Sequence, residues 1–94
     1  MAALIYDSHG IISWGWNHQG DSGYGTHAEQ HAISRANRSR LKNATIIVAG
    51  IRKRNFVYAL PCKEKCFPLI QKVGISRIEF FSKTHWVELE LYND

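Results

Sequence analysis

His27-Ala28-Glu29-Gln30-His31-Ala32-Ile33 opens the first predicted helix and carries an imidazole and a carboxylate within one turn. Far along the chain, the segment Pro61-Cys62-Lys63-Glu64-Lys65-Cys66 opens a second predicted helix and carries two thiols four residues apart. Residues i and i+4 share one face of a helix, so both thiols can point at one metal ion. One imidazole and two thiolates are a natural ligand set for Zn²⁺ and leave its fourth position for water. The sequence therefore predicts a catalytic zinc site with His27, Cys62 and Cys66 as its metal ligands.

Glu29 is the candidate catalytic residue of this site. Its carboxylate lies two residues from His27 and is not needed as a ligand, so it can carry protons to and from a zinc-bound water. Glu29 has a competing role as a helix-capping residue. Thr26 followed three residues later by a glutamate is a capping-box pattern at a helix start. The carboxylate would face either the water or its own backbone, and we favour the catalytic role.

Both cysteines of the chain belong to the second motif. A disulfide between them is the alternative to metal binding. Residues four apart on a helix have Cβ atoms about 5–6 Å apart, whereas a disulfide needs about 3.5–4.5 Å.

Reduced thiols indicate a cytoplasmic protein. The first apolar residues meet Asp7 too soon for a signal peptide, and no apolar run is long enough to span a membrane, so no membrane partner is expected.

The length of 94 residues gives room for a single domain over 1–94 with one modest core. The composition, 45% hydrophobic and 21% charged, is that of an ordinary globular chain. Domains of this size commonly depend on a metal ion or a partner subunit for part of their stability. We therefore expect a homo-oligomer in addition to the bound zinc.

Basic residues give the chain a net charge of +4 and two clusters. The first cluster contains Arg35, Arg38, Arg40 and Lys42, and the second is Arg52-Lys53-Arg54. Solvated ends of a helix and a loop are one explanation. Contact with the phosphates of a nucleotide or a nucleic acid is the other.

The first half of the sequence predicts a β-hairpin followed by a loop, a helix and a strand. Apolar and β-branched residues over 2–6 and 11–16 flank a turn at 7–10, and the glycine-rich segment 17–26 predicts a loop. The first helix is predicted over 27–37, with an apolar stripe that suits packing on a sheet. The nearly all-apolar segment 44–50 predicts a buried strand.

The second half predicts a helix and two final strands. Residues 56–58 form a weak extended segment, and the second helix is predicted over 62–74, with Gly74 as its stop and Pro68 as a kink or a break. Residues 75–81 and 86–92 predict strands, and the short link between them requires antiparallel pairing. The element order is therefore ββαβαββ. Both helices follow strands, so we expect their N-termini at the same edge of the sheet.

The two motifs together resemble the zinc-dependent cytidine/deoxycytidylate deaminase superfamily, whose pattern is His-x-Glu followed by Pro-Cys-x-x-Cys. The resemblance spans the chain from Gly15-Trp16-Asn17 to about Phe81. Residues 27–33 are similar to the helix of the deoxycytidylate deaminases, and residues 70–78 are similar to their second helix and the strand after it. The resemblance implies a three-layer α/β fold of the cytidine-deaminase type, with helices packed on a mixed sheet of about five strands.

The resemblance also implies an activity and further site residues. The activity is hydrolytic deamination of a cytosine nucleotide or nucleoside, with a dCMP-type substrate favoured, in which zinc acidifies a water and Glu29 transfers the protons. Asn17 matches a position at which the superfamily often places an asparagine against the sugar or base, with a simple turn residue as the alternative. The backbone N–H of Ala28 matches one that contacts the carbonyl of the base.

The chain departs from the family pattern in three places. Three residues rather than two separate the cysteines, which indicates a shifted helix start. Leu60 precedes Pro61 where relatives often carry Ser or Glu, which removes a polar group from the base pocket. No third helix is predicted after Phe81, so any contribution of that element to substrate recognition is missing.

Two other functions stay open at this point. Basic clusters together with aromatic residues favour a deaminase acting on cytosine or adenine in single-stranded DNA or RNA. A catalytically silent zinc module is the second, and the presence of Glu29 argues against it.

Several histidine and aromatic side chains near the motifs have a simpler explanation than ligand binding. His31 lies on the same helix face as His27, but the ligand set does not require it, so we expect a packed or interface histidine. Trp14, Trp16 and Tyr24 are candidates for stacking on a base. Trp14 and Trp16 share a strand face, which favours the core or an interface.

Overall fold

A computed structural model describes residues 1–16, 18–19, 25–52, 55–57, 66–82 and 84–91 of the chain. Its helices are α1 (Ala28–Arg35) and α2 (Cys66–Lys72), with a 3₁₀ turn at Arg38–Arg40. Its strands are β1 (Ala2–Asp7), β2 (Gly10–Trp16), β3 (His18–Gln19), β4 (Gly25–Thr26), β5 (Thr45–Arg52), β6 (Asn55–Val57), β7 (Arg77–Phe81) and β8 (Trp86–Glu90).

The main sheet has the strand order β2-β1-β5-β7-β8. β1 is antiparallel to both β2 and β5, β5 is parallel to β7, and β7 is antiparallel to β8. β6 pairs with the end of β5, and β3 pairs with β4 in a separate two-stranded ladder. The predicted α/β fold with a mixed sheet of about five strands is therefore confirmed, as is the antiparallel pairing of the last two strands.

The predicted hairpin of β1 and β2 is confirmed, and a side chain closes its turn. The carboxylate of Asp7 accepts the backbone N–H of His9 at 2.8 Å, and Arg40 lies 3.2 Å from the same oxygen. The hydrogen bond from His9, assisted by the charge of Arg40, holds the pKa of Asp7 below its usual value. Asp7 thereby joins the hairpin to the 3₁₀ turn that follows α1.

The core lies between the sheet and the two helices. Apolar side chains from one face of the sheet and from both helices form a single buried cluster, which includes Ile5, Ile33, Ile46, Ile70 and Ile78. Because α1 and α2 share this cluster, they lie on the same face of the sheet. The three-layer arrangement implied by the resemblance therefore has two layers in the part of the chain that the structure describes.

The other face of the sheet is apolar and accessible in the described structure. A shallow depression there is lined by side chains from β1, β2 and β5, among them Leu4, Trp14, Trp16, Ile47 and Ala49. Trp14 and Trp16 are 52% and 47% exposed, so they lie outside the buried core, and the interface that was the other half of the expectation stays a prediction.

The start of α1 differs from the capping-box pattern considered for Thr26. Thr26 belongs to β4, where it pairs with His18, so its backbone is part of a ladder. The N-cap is His27, and its backbone N–H donates to Oε1 of Gln30 at 3.2 Å. Gln30 and not Glu29 therefore occupies the third helical position of the capping box. The helix is also shorter than the predicted span 27–37, because the chain is already extended at Ala36.

The second helix also has different bounds from those predicted. α2 begins at Cys66, and the predicted start over residues 62–65 lies outside the described residues. Pro68 is the third residue of the described helix, and the predicted kink or break stays a prediction because residues 62–65 lie outside the described residues. Gly74 has a φ of 89° and is the second residue after the last residue of α2, Lys72, which confirms it as the stop.

Candidate functional site

Both helices point their N-termini at one edge of the sheet. At the C-terminal end of α2, the backbone N–H of Asn43, just before β5, donates to the carbonyl of Gly74 at 2.9 Å. α1 also leads to the start of β5 through the 3₁₀ turn, where Arg40 meets Asp7 at the end of the antiparallel β1. Since the C-terminal ends of both helices lie near the start of β5, their N-termini lie toward the edge at which β2 and β5 end.

This edge carries the first motif. His27 caps α1 and is half-buried, and Ala28 and Glu29 follow as the first two residues of the helix, both buried. A helix N-terminus carries a partial positive charge, which favours an ionised carboxylate in the first turn. The sequence prediction that the imidazole and the carboxylate share the opening turn of this helix agrees with the geometry.

The carboxylate of Glu29 is buried without a complete set of hydrogen bonds. The residue is 2% exposed, and among the described residues its Oε1 has no hydrogen-bond partner. An unpartnered buried carboxylate oxygen costs free energy, so folding alone does not favour a glutamate here. Such an atom is expected where a ligand or a reacting group will occupy the neighbouring space.

The strand β2 approaches α1 so closely that their backbones are in contact. A Cβ atom on Gly15 would lie 2.4 Å from the backbone nitrogen of Ala32 and 2.6 Å from the carbonyl oxygen of Ala28. The hydroxyl of Ser13 donates to the carbonyl of Ala32 at 2.6 Å and is buried. These contacts fix the height and rotation of the helix that carries Glu29.

Sequence reasoning did not find the role of Gly15, although a signal was available. A glycine in the interior of a strand weakens the strand and therefore often marks a close backbone approach. The resemblance included Gly15 only as part of a segment. Its contact with Ala28, the residue between His27 and Glu29, makes it a structural support of the candidate site.

His31 packs against the end of β2. The backbone N–H of Trp16 donates to Nδ1 of His31 at 3.2 Å, and the two rings meet edge to face with their centres 4.4 Å apart. The guanidinium of Arg35 lies 4.9 Å from the ring centre of Trp14 and 5.4 Å from that of Trp16. The expectation that His31 is a packed histidine is confirmed.

The structure leaves part of the predicted ligand set untested. Asn17 and Cys62 lie outside the described residues, as do Leu60 and Tyr24, and Cys66 is described only as the first residue of α2. Within the described ranges, no three histidine, cysteine or acidic side chains are grouped to hold a metal ion.

The donor set nevertheless fits a zinc ion. His27 and Cys66 lie at the N-termini of two helices that point toward the same edge of the sheet, and both residue types are zinc ligands. Glu29, two residues after His27, is buried, and its Oε1 has no hydrogen-bond partner among the described residues, so it is available as a proton carrier.

The first basic cluster lies away from this edge. Arg38 and Lys42 are exposed and follow the C-terminal end of α1, near the start of β5. α1 has eight residues and so is about 12 Å long, which separates these charges from the helix N-terminus. Arg40 is paired with Asp7. Lys53 and Arg54 of the second cluster lie outside the described residues.

Comparison with known protein families gives one match. The model of the cytidine and deoxycytidylate deaminase zinc-binding region matches residues 1–82, which span the described fold from β1 to the end of β7. The chain therefore belongs to the cytidine and deoxycytidylate deaminase family. No curated protein matches the chain at a significant level.

This membership agrees with several sequence predictions. The superfamily inferred from the two motifs is confirmed, and so is Zn²⁺ as the cofactor. The family is one of deaminases, so the predicted enzyme class, a hydrolase, agrees with the match. None of the described helices has the length and apolar character needed to cross a membrane.

Proposed function

We propose that this chain is a zinc-dependent deaminase of a free cytosine nucleotide or nucleoside, with a dCMP-type substrate favoured. The observation that carries the proposal is the buried Oε1 of Glu29 at the start of α1, which has no hydrogen-bond partner within the described part of the chain, in a member of this family. His27, Cys62 and Cys66 are the proposed metal ligands, and Glu29 is the proposed catalytic residue.

The reaction replaces the amino group at C4 of the cytosine ring with oxygen from water and releases ammonia. Zinc, when bound, supplies a water whose pKa is lowered toward about 7. Protons must then reach the ring nitrogen and later the departing amine. Glu29 carries both, because its burial keeps bulk water away and its Oε1, which no other described residue engages, lies in the opening turn of α1.

Two further residues complete the proposed site. The side chain of Asn17 contacts the sugar or the base, and the backbone N–H of Ala28 contacts the base carbonyl. Ala28 supports this assignment by its place as the first residue of α1, fully buried between His27 and Glu29.

The placement of the basic residues supports a small substrate. Arg38 and Lys42 lie beyond the opposite end of α1 from Glu29, so they are poorly placed for the single phosphate of a nucleotide in the site. A nucleic-acid strand would have to extend about the length of α1 to reach them.

The second candidate function is deamination of single-stranded DNA or RNA. Trp14 and Trp16 favour it, because both indoles are about half exposed and Arg35 lies over them. Aromatic rings with a nearby cation are the platform on which single-stranded bases stack.

One set of assays separates the two functions. Zinc-loaded protein is incubated with dCMP, dCTP, deoxycytidine, cytidine and a single-stranded oligonucleotide that contains one cytosine, and ammonia release is followed. We expect the highest kcat/KM with dCMP, whereas a preference for the oligonucleotide would support the second candidate. Glu29→Gln serves as the control, with a loss of about 10²–10⁴-fold in turnover and unchanged zinc content. Zinc-loaded protein that turns over none of these substrates would contradict the proposal.

We further propose that residues 1–94 form one domain, that the chain self-associates, and that it is cytoplasmic. The single buried cluster supports the first, and the small size of the domain supports the second. The need for two reduced thiols supports the third. Sedimentation velocity with zinc-loaded protein tests the self-association.

A further inference from the structure

Trp16 is held at the end of β2 from two sides. Its backbone N–H donates to Nδ1 of His31, its ring meets the imidazole at an angle of 79°, and the guanidinium of Arg35 lies over its indole. β2 is an edge strand of the described sheet, and the N–H groups on the outer side of an edge strand need partners from elsewhere. His31 supplies such a partner from the helix.

This hydrogen bond fixes the role that the imidazole can take. Nδ1 accepts the hydrogen bond from the backbone N–H of Trp16, so its lone pair is in use and is not available to a metal ion. A neutral His31 therefore carries its own proton on Nε2. The side chain binds the backbone of β2 and is not a fourth zinc ligand.

Both ends of the bond adjoin the proposed site. In the sequence, Trp16 directly precedes Asn17, the residue proposed to contact the sugar or base. His31 lies one turn after His27 and donates its own backbone N–H to the His27 carbonyl at 3.0 Å. The bond thus joins the point where the chain leaves β2 to the first turns of the helix that carries Glu29.

We propose that His31 is a positioning residue that sets substrate affinity. By holding the end of β2 against α1, it fixes Trp16, the residue that directly precedes Asn17 in the sequence, and it takes no part in zinc binding or proton transfer. The inference rests on the proposed function, because it needs Asn17 to contact the substrate.

Three substitutions separate this role from simple packing. His31→Leu removes the acceptor and keeps an apolar side chain of similar size. His31→Asn places an amide oxygen close to the position of Nδ1, and His31→Gln displaces that oxygen by one methylene group. Each zinc-loaded variant is measured for zinc content, for KM and kcat with dCMP, and for the hydrogen-exchange rate of the Trp16 amide by NMR.

We expect His31→Leu to raise KM about tenfold and to speed exchange at the Trp16 amide about tenfold, which is the loss of one hydrogen bond. Its kcat and zinc content should stay within about threefold of the wild-type values. His31→Asn should restore KM and exchange to within about threefold, and His31→Gln should restore them less well.

Two results would overturn the inference. One is a wild-type KM and a wild-type Trp16 exchange rate in His31→Leu. The other is a His31→Asn variant as impaired as His31→Leu, which would show that the ring and not its acceptor matters. A wild-type protein that turns over none of the assayed cytosine substrates contradicts the proposed function instead, and the exchange rates still decide whether the hydrogen bond exists.

Discussion

The carbonyl oxygen of Ala28 lies 2.6 Å from the position that a Cβ atom on Gly15 would occupy. Ala28 separates the proposed zinc ligand His27 from the proposed catalytic Glu29, so a close approach of β2 to α1 falls between these two residues. A Cβ atom cannot approach backbone atoms this closely, and the neighbouring atoms here belong to the rigid backbone of α1. The contact therefore requires a residue without a side chain.

Gly15→Ala should destabilise the protein and disturb the site together. The methyl group must push α1 away from β2, and overpacking of this kind costs about 1–3 kcal/mol. Urea denaturation measures the loss. Ser13→Ala is the matched control, since it removes a hydrogen bond from the same contact without adding an atom, and about 1 kcal/mol is expected. Full stability and full turnover in Gly15→Ala would show that the helix does not depend on this contact.

Glu29→Gln should stabilise the metal-free protein while it abolishes turnover. The substitution removes the charge of a buried carboxylate whose Oε1 has no partner among the described residues, and a gain of about 1 kcal/mol is expected. Glu79→Gln is the control, because Glu79 accepts the hydroxyl of Tyr6 and a neutral amide oxygen is a weaker acceptor than a carboxylate, so this substitution should destabilise the protein. Differential scanning calorimetry on the metal-free proteins compares the two. A lower melting temperature for Glu29→Gln would count against an uncompensated carboxylate.

Stability should fall at alkaline pH because of Tyr6. The hydrogen bond to Glu79, assisted by burial and by the charge of Glu79, raises the pKa of Tyr6 above 10.0. A group whose pKa is raised in the folded state contributes stability that is complete below pH 10.0 and is lost as pH rises through the folded value. Urea titrations between about pH 8 and 11 should show this loss in the wild type, with Tyr6→Phe lacking that component. If the free energy of unfolding falls with pH equally in the wild type and in Tyr6→Phe, ionisation of Tyr6 is not the cause of the loss.

Removal of zinc should destabilise the protein and end its activity. Metal that binds only the folded chain adds to its stability, so a chelator should lower the melting temperature and added Zn²⁺ should restore it. Cys62→Ala and Cys66→Ala should each lose the ion, as measured by elemental analysis, whereas His85→Ala, at an exposed histidine, should keep it. Retention of zinc by either cysteine variant would contradict the proposed ligand set.

The elements with a clear periodic pattern could be predicted from the sequence. The alternation of Val87, Leu89 and Leu91 with Glu88 and Glu90 predicted a half-buried strand, and the apolar residues do pack against the core. Gly74 predicted the end of α2 for a local reason, since few other residues adopt its backbone conformation. These features depend on neighbouring residues, which a sequence shows directly.

The features that were missed depend on residues far apart in the chain. By local preference Thr26 is a better N-cap than His27, but its backbone is committed to pairing with His18. The same limit applies to the site, because the contacts of Gly15 with Ala28 and of Trp16 with His31 cross 13 and 15 positions of sequence. Spacing within a motif could indicate the chemistry of the site but not the strand that supports it.

The exposure of the tryptophans has a practical consequence for spectroscopy. Trp14, Trp16 and Trp86 are 52%, 47% and 43% exposed, so the native chain should already fluoresce at the long wavelengths of indoles in contact with solvent. Unfolding should therefore shift the emission little. A nucleotide that covers Trp16 should shift it to shorter wavelength, which makes the intrinsic emission a direct optical titration of substrate binding.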